Sequence, residues 1–383
     1  MSNDVYVIGV GMHPFSKMCP STRDMAFNAG TAAMEDAGIK FKDVGYLYNG
    51  YIGGMMLEGI SYAKDFGLTN VPVVHVENAS ATGSTAFREA VNAVKAGEAE
   101  IAMALGFDDM MKMGMQMAQM MMGQEPKIEQ IVLPAGFFAM WAVRRMHEHG
   151  TTVETFAKIA AKNWNHARFN PMAQRQAKEE VTPEEVLASR MIAYPHTSKM
   201  SCGAGGGAAC AIVATEAVAK KLANGRPLVK VAGSQMKSEH YTEGHVFLGA
   251  VVGPGELTQV TSQALYEESG IGPNDVSLVH VHDAFPIEEL MYYELMGFCE
   301  EGEGDSLVEK GETTIGGRIP FSTDGGLIAR GHPGGPTGLA QIWDITQQLR
   351  GESGKRQVEG AKVGIAHMMG AGSICVMNML QRV

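Results

Sequence analysis

A turn of small residues opens onto a helix at Ser80, a place where one side chain can do covalent chemistry. The segment Val76-Glu77-Asn78-Ala79-Ser80-Ala81-Thr82-Gly83-Ser84-Thr85-Ala86 bends closely, and Phe87, Ala90, Val91 and Val94 then recur at helical spacing. A side chain there sits among unpaired backbone N–H groups, at the positive end of the helix dipole. That setting lowers the pKa of a thiol and stabilises an oxyanion, so it suits a nucleophile. A serine there also suits a plain helix N-cap, and the residue types alone leave both readings open.

Three further loops carry reactive side chains. His282-Asp283-Ala284-Phe285 follows the strand-like Leu278–Val281 and precedes a helix beginning at Pro286. Gly331-His332-Pro333-Gly334-Gly335 is preceded by Ser322-Thr323-Asp324-Gly325-Gly326. His367-Met368-Met369-Gly370-Ala371-Gly372-Ser373 closes the last-but-one strand. Open α/β sheets place their ligands at strand ends of this kind.

The elements that must position these loops alternate strand-like apolar runs with helical patterns, which predicts an α/β fold. Strands are expected at Val5–Val10, Ile101–Leu105, Ala208–Val213, Val229–Ala232, Leu278–Val281 and Val363–Ala366. Helices are expected at Ala26–Ala37, Thr85–Ala96, Pro183–Ser189, Glu216–Ala223, Pro286–Met296 and Gly338–Arg350. From about Met110 to Ser198 the alternation stops, as in an insertion between two strands of the first half. An internal similarity lays Ser80 on His332, Gly83 on Gly335, Thr85 on Thr337 and Phe87 on Leu339. Two related halves facing one another would bring both helix starts to one site.

Size and composition narrow the class. At 383 residues, with 45% hydrophobic residues and 47 glycines, the chain suits a turn-rich globular enzyme. A net charge of −11 without a dense Lys/Arg run argues against nucleic acid as a partner. Five scattered cysteines (Cys19, Cys202, Cys210, Cys299, Cys375) form no CxxC pair, so no disulfide framework or metal site is expected in this chain. The N-terminus lacks a signal-peptide pattern, and no apolar run approaches the roughly 20 residues needed to cross a bilayer. The expectation is a cytoplasmic protein with no membrane partner.

Taken in this order, the loops resemble the thiolase family, in particular its sterol-carrier-protein-X-type branch. The resemblance runs from Val5-Tyr6-Val7-Ile8-Gly9 to the last strand. It includes Asn170-Pro171-Met172-Ala173-Gln174 and Glu184-Glu185-Val186-Leu187-Ala188-Ser189-Arg190-Met191-Ile192. Its most specific piece is Gly325-Gly326-Leu327-Ile328-Ala329-Arg330-Gly331-His332-Pro333. The resemblance implies a fold of two βαβαβαββ halves in five αβαβα layers. The halves would span 1–255 and 256–383, with a loop domain inserted at about 110–200. It implies a 3-oxoacyl-CoA acyltransferase using coenzyme A, a homodimer, and a small zinc-ribbon and OB-fold partner subunit.

Carried over residue by residue, the resemblance makes Ser80 the nucleophile position, His332 the base and His282 the holder of an oxyanion-hole water. Gly370 becomes a backbone donor, with Gly372 beside it. Ser80 departs from the family's cysteine, and Ala284 and Met368 stand where the two branches carry a proton-moving cysteine. Three explanations of Ser80 stand side by side: a replaced native cysteine, a lyase that forms no acyl-enzyme, or a subunit that only binds acyl-CoA. A substrate with a stabilised leaving enolate, branched or aromatic, would need least help from a second thiol. Ala284, Phe285, Met368, Met113 and Met117 are the candidate substrate-lining residues, the last two within a run of eight methionines from Met110 to Met122. That run equally suits core or interface packing.

Other features read more plainly. Gly203–Gly207 leads into a strand rather than a helix, so it is a close-packed turn and not a phosphate loop. His13, His75, His240 and His245 have no ligand-like spacing. Glu179-Glu180 and Glu300–Glu303 are solvated faces, and Cys299 and Cys375 are core residues.

Overall fold

The computed structural model describes residues 4–112, 114, 134–240 and 255–383. Its first part runs β1 (Val5–Ser16), α1 (Thr22–Ala37), β2 (Tyr46–Gly50), α2 (Glu58–Phe66), β3 (Val73–Val76), α3 (Thr82–Lys95) and β4 (Ile101–Asp109). Helices α4 (Pro134–His149), α5 (Val153–Ala167) and α6 (Pro183–Leu187) follow, with the hairpin β5 (Met191–Ala193) and β6 (His196–Thr197). Then come β7 (Gly206–Thr215), α7 (Glu216–Leu222), β8 (Val229–Ser238), α8 (Gly255–Ser269), β9 (Leu278–His280) and α9 (Pro286–Leu295). The chain ends with α10 (Gly304–Glu309), α11 (Gly326–Ala329), α12 (Thr337–Arg350), β10 (Val363–Gly370) and β11 (Ile374–Arg382).

The main sheet has the order β3-β2-β4-β7-β1-β8-β11-β10-β9. β2, β3 and β4 run parallel, as do β9 and β10, and the remaining pairs are antiparallel. β1 and β8 are joined through only Tyr6–Lys230 and Val7–Val229, which makes that junction the narrowest in the sheet. β4 and β7 pair directly, so α4 to α6 and the β5–β6 hairpin lie within a connection between neighbouring strands.

Side-chain alternation along the strands sets the layers. From β4, Ala102 and Ala104 face one cluster, while Ile101, Met103, Leu105 and Phe107 face another. The second cluster is covered by α1 through Met25, Ala26, Ala29 and Ala33. In the other half, Val279, Ile365, Met377 and Met379 pack with α5 and α9, whereas Leu278, Ala366 and Leu380 turn inward. Between the two inward faces lie α3, through Phe87, Ala90, Val91 and Val94, and α12, through Leu339, Ile342 and Ile345. The result is helix, one half of the sheet, two central helices, the other half of the sheet, helix.

Local sequence explains the ends of these elements. Ser21 caps α1 by accepting from the Asp24 N–H, and Gly38 ends it in the left-handed region at φ 69°. Most expected strands appear longer than their apolar runs: β1 continues to Ser16 and β10 to Gly370, because ladder pairing with β7 and β11 extends past the hydrophobic stretch, whereas β9 stops at His280, one residue short of the expected Val281. Expected helices hold to within a few residues. Cys375 is buried in β11 and Cys299 packs against the same core, as expected of core thiols. Met113, Met117 and His245 lie outside the described residues.

Small residues let the two central helices begin in contact. A Cβ on Gly83 would lie 2.4 Å from Gly335 O, and one on Gly338 would lie 2.1 Å from Ser84 Oγ and 2.7 Å from its N. Gly83→Ala is therefore expected to push the helix starts apart and to destabilise the fold by about 1–3 kcal/mol. A urea midpoint unchanged from wild type would show that the contact yields freely.

Candidate active site

Three of the four loops issue from C-terminal strand ends, and the fourth joins two helices. β3 leads to the Ser80 turn, β9 to His282 and β10 to Gly370, and α11 and α12 flank His332. The turn before α3 is strained: Ala79 takes φ 47°, a left-handed conformation rare without glycine, and its N–H donates to Glu77 Oε1 at 2.6 Å. Ser322 and Ala371, in two of the other site loops, share this conformation at φ 51° and 50°. Strain of this kind persists only where the surroundings over-determine it.

The capping reading of Ser80 does not survive: Ala81 occupies the N-cap of α3, which has no side-chain cap. Ser80 Oγ instead lies 2.9 Å from His332 Nε2. On the far side of that ring, Nδ1 lies 2.9 Å from Thr337 Oγ1 in the first turn of α12. With Thr337 accepting from Nδ1–H, Nε2 presents its lone pair to Ser80. Burial, with His282 and Arg330 nearby, holds His332 well below the usual imidazole range, so the ring is neutral and able to accept a proton.

His282 faces His332 edge-on, with ring centroids 5.2 Å apart. Its Nδ1 is 2.8 Å from Glu288 Oε1, while its Nε2 is buried without a partner. An unpaired buried nitrogen is costly, and its position beside the Ser80–His332 pair makes it available to a bound group. Gly370 brings the fourth loop against the Ser80 turn: a Cβ there would lie 2.2 Å from Asn78 O. Gly372 follows at φ 81°.

The expected lining residues are placed as follows. Ala284 is buried and its carbonyl accepts from the Cys202 N–H at 2.9 Å. Phe285 packs between the rings of Phe138 and His196, each with a centroid 5.0 Å away. Met368 is fully buried with Ala81, Val376, Met236 and Ile374 at the foot of α3.

Several supporting residues escape a reading by motif. Thr337 falls in the internal similarity but has no role assigned by it. Glu288 sits at the third position of α9, where a capping pattern with Phe285 signals it: the Phe285 N–H donates to Glu288 Oε2 at 3.3 Å. Asp108 has no sequence signal, yet it accepts from the N–H groups of Ile52 at 3.1 Å and Gly335 at 2.7 Å. Burial raises the Asp108 carboxyl to about 7.

Behind the site lies a buried charge network. His280 Nε2 is 2.9 Å from Asp344 Oδ2 and its Nδ1 is 3.4 Å from Asp324 Oδ1. Arg330 pairs with Asp324, and Arg356 pairs with Asp344. The three acidic and imidazole groups are close enough to ligate a cation. The two guanidinium groups already occupy their carboxylates, and the set serves instead to hold the loop before His332.

Family models of two domains match the chain: Thiolase, N-terminal domain, over residues 5–191, and Thiolase C-terminal domain-like, over residues 255–379. Human sterol carrier protein 2 is 35% identical over 98% of this chain and 71% of its own length. Benzoylsuccinyl-CoA thiolase subunit BbsB of Thauera aromatica is 36% identical over 97% of this chain and 96% of its own. Acetyl-CoA acetyltransferase of Methanothermobacter thermautotrophicus is 36% identical over 99% of this chain and 100% of its own. Among solved structures, the Ltp2-ChsH2(DUF35) aldolase superposes with a TM-score of 0.82 at 24% identity, over 99% of this chain and 98% of that one. Human mitochondrial 3-ketoacyl-CoA thiolase superposes with a TM-score of 0.73 at 16% identity, over 99% of both chains.

The network makes stability depend on pH. Burial lowers the basicity of His280, but Asp324 and Asp344 outweigh it and lift the ring from its ordinary 6.5 to about 9. The folded protein thus keeps a proton that the unfolded chain releases near pH 6.5. The stabilisation is complete below about 6.5 and is lost as pH rises through about 9. Urea midpoints of wild type should fall between pH 6 and 9.5 more steeply than those of His280→Gln; equal slopes would rule out the charged His280.

Proposed function

The chain belongs to the thiolase family and is an acyltransferase of thiolase type, and from that premise we propose that it cleaves a 3-oxoacyl-CoA with CoA or runs the reverse Claisen condensation. The observation that carries this reading is the 2.9 Å pair between Ser80 Oγ and His332 Nε2 at the start of a central helix. His332 takes the proton of residue 80 as its side-chain atom attacks the C3 carbonyl. The C2–C3 bond then breaks, its electron pair leaves as a thioester enolate, and the acyl group stays on residue 80. The enolate takes up a proton to leave as the shortened acyl-CoA, the thiol of CoA releases its own proton into the site as it attacks the ester, and His332 returns the first proton to residue 80. The buried Nε2 of His282 and the backbone at Gly370 supply partners for the developing oxyanions.

The hydroxyl sets the rate. An alkoxide is far harder to form than a thiolate, and its oxygen ester yields less readily to CoA. Ser80 therefore stands as the slow form of the nucleophile, whether by replacement of a cysteine or as a native residue. A second reading, carbon–carbon cleavage of retro-aldol type without an acyl-enzyme, is favoured by the same hydroxyl.

The partner reading extends to a second copy and a small subunit. β3 ends the main sheet in its order, and Val74 on it is 37% exposed. Leu68, in the connection between α2 and β3, exposes 87% of its surface. An open strand edge flanked by apolar side chains supports a homodimer through this edge. A zinc-ribbon and OB-fold subunit that completes the CoA site is part of the same reading, with residues of the connection at 110–200 covering the acyl chain. The five cysteines are free, which supports a reducing, cytoplasmic compartment. No helix among the described residues is long and apolar enough to cross a membrane.

Thiolysis of a 3-oxoacyl-CoA series should rise at least about 100-fold on Ser80→Cys, and His332→Ala in the cysteine form should remove 10²–10⁴-fold, roughly, of that rate. Equal carbon–carbon cleavage by the serine and cysteine forms, with no CoA consumed, would establish the lyase reading instead. Sedimentation should give a dimer, and Val74→Lys should shift it toward monomer.

A further inference from the structure

Breaking a bond α to a thioester leaves a carbanion that must be protonated, and the reverse reaction must remove an α-proton. The site thus needs a second acid–base group besides His332, whose Nε2 is engaged with residue 80. Ala284 and Met368 offer no ionisable atom. The thiol of Cys375 lies in the outer core of β11, and burial pushes it up to about 12. Cys202 is nearer, since its N–H bonds to Ala284 O and the following Gly203 O accepts the His332 N–H at 3.2 Å. Its side chain packs against the core, and burial raises this thiol to about 12 as well. A thiol so weakly acidic supplies no thiolate base at neutral pH.

His282 is differently equipped. Glu288 is 2% exposed, and its carboxylate receives His282 Nδ1 at 2.8 Å, the Tyr292 hydroxyl at 3.3 Å and the Phe285 N–H at 3.3 Å. Those contacts leave its charge opposite the imidazole and direct Nδ1–H toward it. The His282 N–H donates to His367 Nδ1 at 3.4 Å, which fixes the root of the side chain. His367 itself is held neutral by burial, lowered to about 3. The remaining nitrogen, His282 Nε2, is buried and unpartnered, in a ring whose centroid lies 5.2 Å from that of His332.

We infer that the His282–Glu288 pair is the group that carries the α-proton, His282 as the catalytic residue and Glu288 as its positioning residue. This rests on the thiolase-type reading of the site and assigns a step within it. In cleavage, the C2–C3 electron pair moves onto C2, the imidazolium Nε2–H delivers its proton to C2, neutral His282 keeps Nδ1–H on Glu288, and the proton released by the CoA thiol as it attacks the ester restores the imidazolium. In the reverse direction the Nε2 lone pair takes an α-proton of the acyl-CoA. The imidazolium so formed is balanced by the Glu288 carboxylate, and no external oxidant or reductant is needed. Buried carboxylate–imidazole pairs of this geometry hold the ring in one tautomer and stabilise its cationic form.

Exchange of the α-protons of acetyl-CoA in D2O, followed by mass spectrometry, reads this step without needing an acyl-enzyme. The full-length Ser80 protein should incorporate deuterium. Glu288→Gln should slow incorporation by about 10²-fold or more while the dissociation constant for acetyl-CoA and the urea midpoint stay near wild type. His282→Ala should abolish exchange, and added imidazole should restore part of it. Exchange that survives in both variants, or that is lost instead in Cys202→Ser, would overturn the inference. Thiolysis by the Ser80→Cys form without any α-exchange in wild type would overturn it too, while leaving the acyltransferase reading intact. Failure of the protein to bind acetyl-CoA would overturn both.

Discussion

Everything at the site depends on the close approach of two helix starts. Gly83 meets the backbone at Gly335, and Gly338 meets Ser84, with no room for a Cβ on either glycine. Because α3 and α12 begin in contact, the residue before one helix and the histidine before the other fall within hydrogen-bond distance. The two helix starts also add their positive ends at the same point, where an oxyanion would develop. Side chains that recur along both helices, among them Phe87, Val91, Leu339 and Ile342, form the central core that holds the approach.

Around that contact the molecule stores strain and charge. Ala79, Ser322 and Ala371 are left-handed without being glycine, each in a loop of the site. The loop before His332 is tied by Arg330 to Asp324, and Asp324 and Asp344 are bridged by His280. Buried ions of this kind give little net stability, since desolvation offsets their attraction, but removing one partner leaves another charge stranded. Their service is to geometry: Arg330, held by Asp324, lies two residues before His332 and ties down the loop that carries it. The second network, centred on Glu289 with Lys162 at 2.8 Å and Asn163 at 2.9 Å, ties α5 of the inserted segment to the same loops through Asp283.

Much of the scaffold was legible because it is written in periodicity. Strands at Ile101, Ala208, Leu278 and Val363 and helices at Ala26, Thr85 and Gly338 show their apolar repeats directly. β2 and β3 were not legible. Tyr46–Gly50 carries the buried polar Asn49 and ends in glycine, and Val73–Val76 lies at the sheet edge with partly exposed side chains, so neither shows a clean inward face. Helices α4 and α5 are amphipathic in a region of mixed charge and methionine, and their packing partners are remote in sequence.

For the site, local sequence determined the types and the loops. It showed Ser80 at a helix start, the histidines of the HDAF and GHP segments, and the glycine-rich turn after the last-but-one strand, since these are features of short contiguous stretches. It could not determine pairings across the chain. That Ser80 engages His332 instead of capping its own helix, that Thr337 orients the ring, and that Glu288 leaves one nitrogen of His282 free were decided only by tertiary structure. The physical reason is one of distance: helix starts, caps and turns are set by bonds between near neighbours, whereas these contacts form only when the two halves of the main sheet pack on a shared pair of helices.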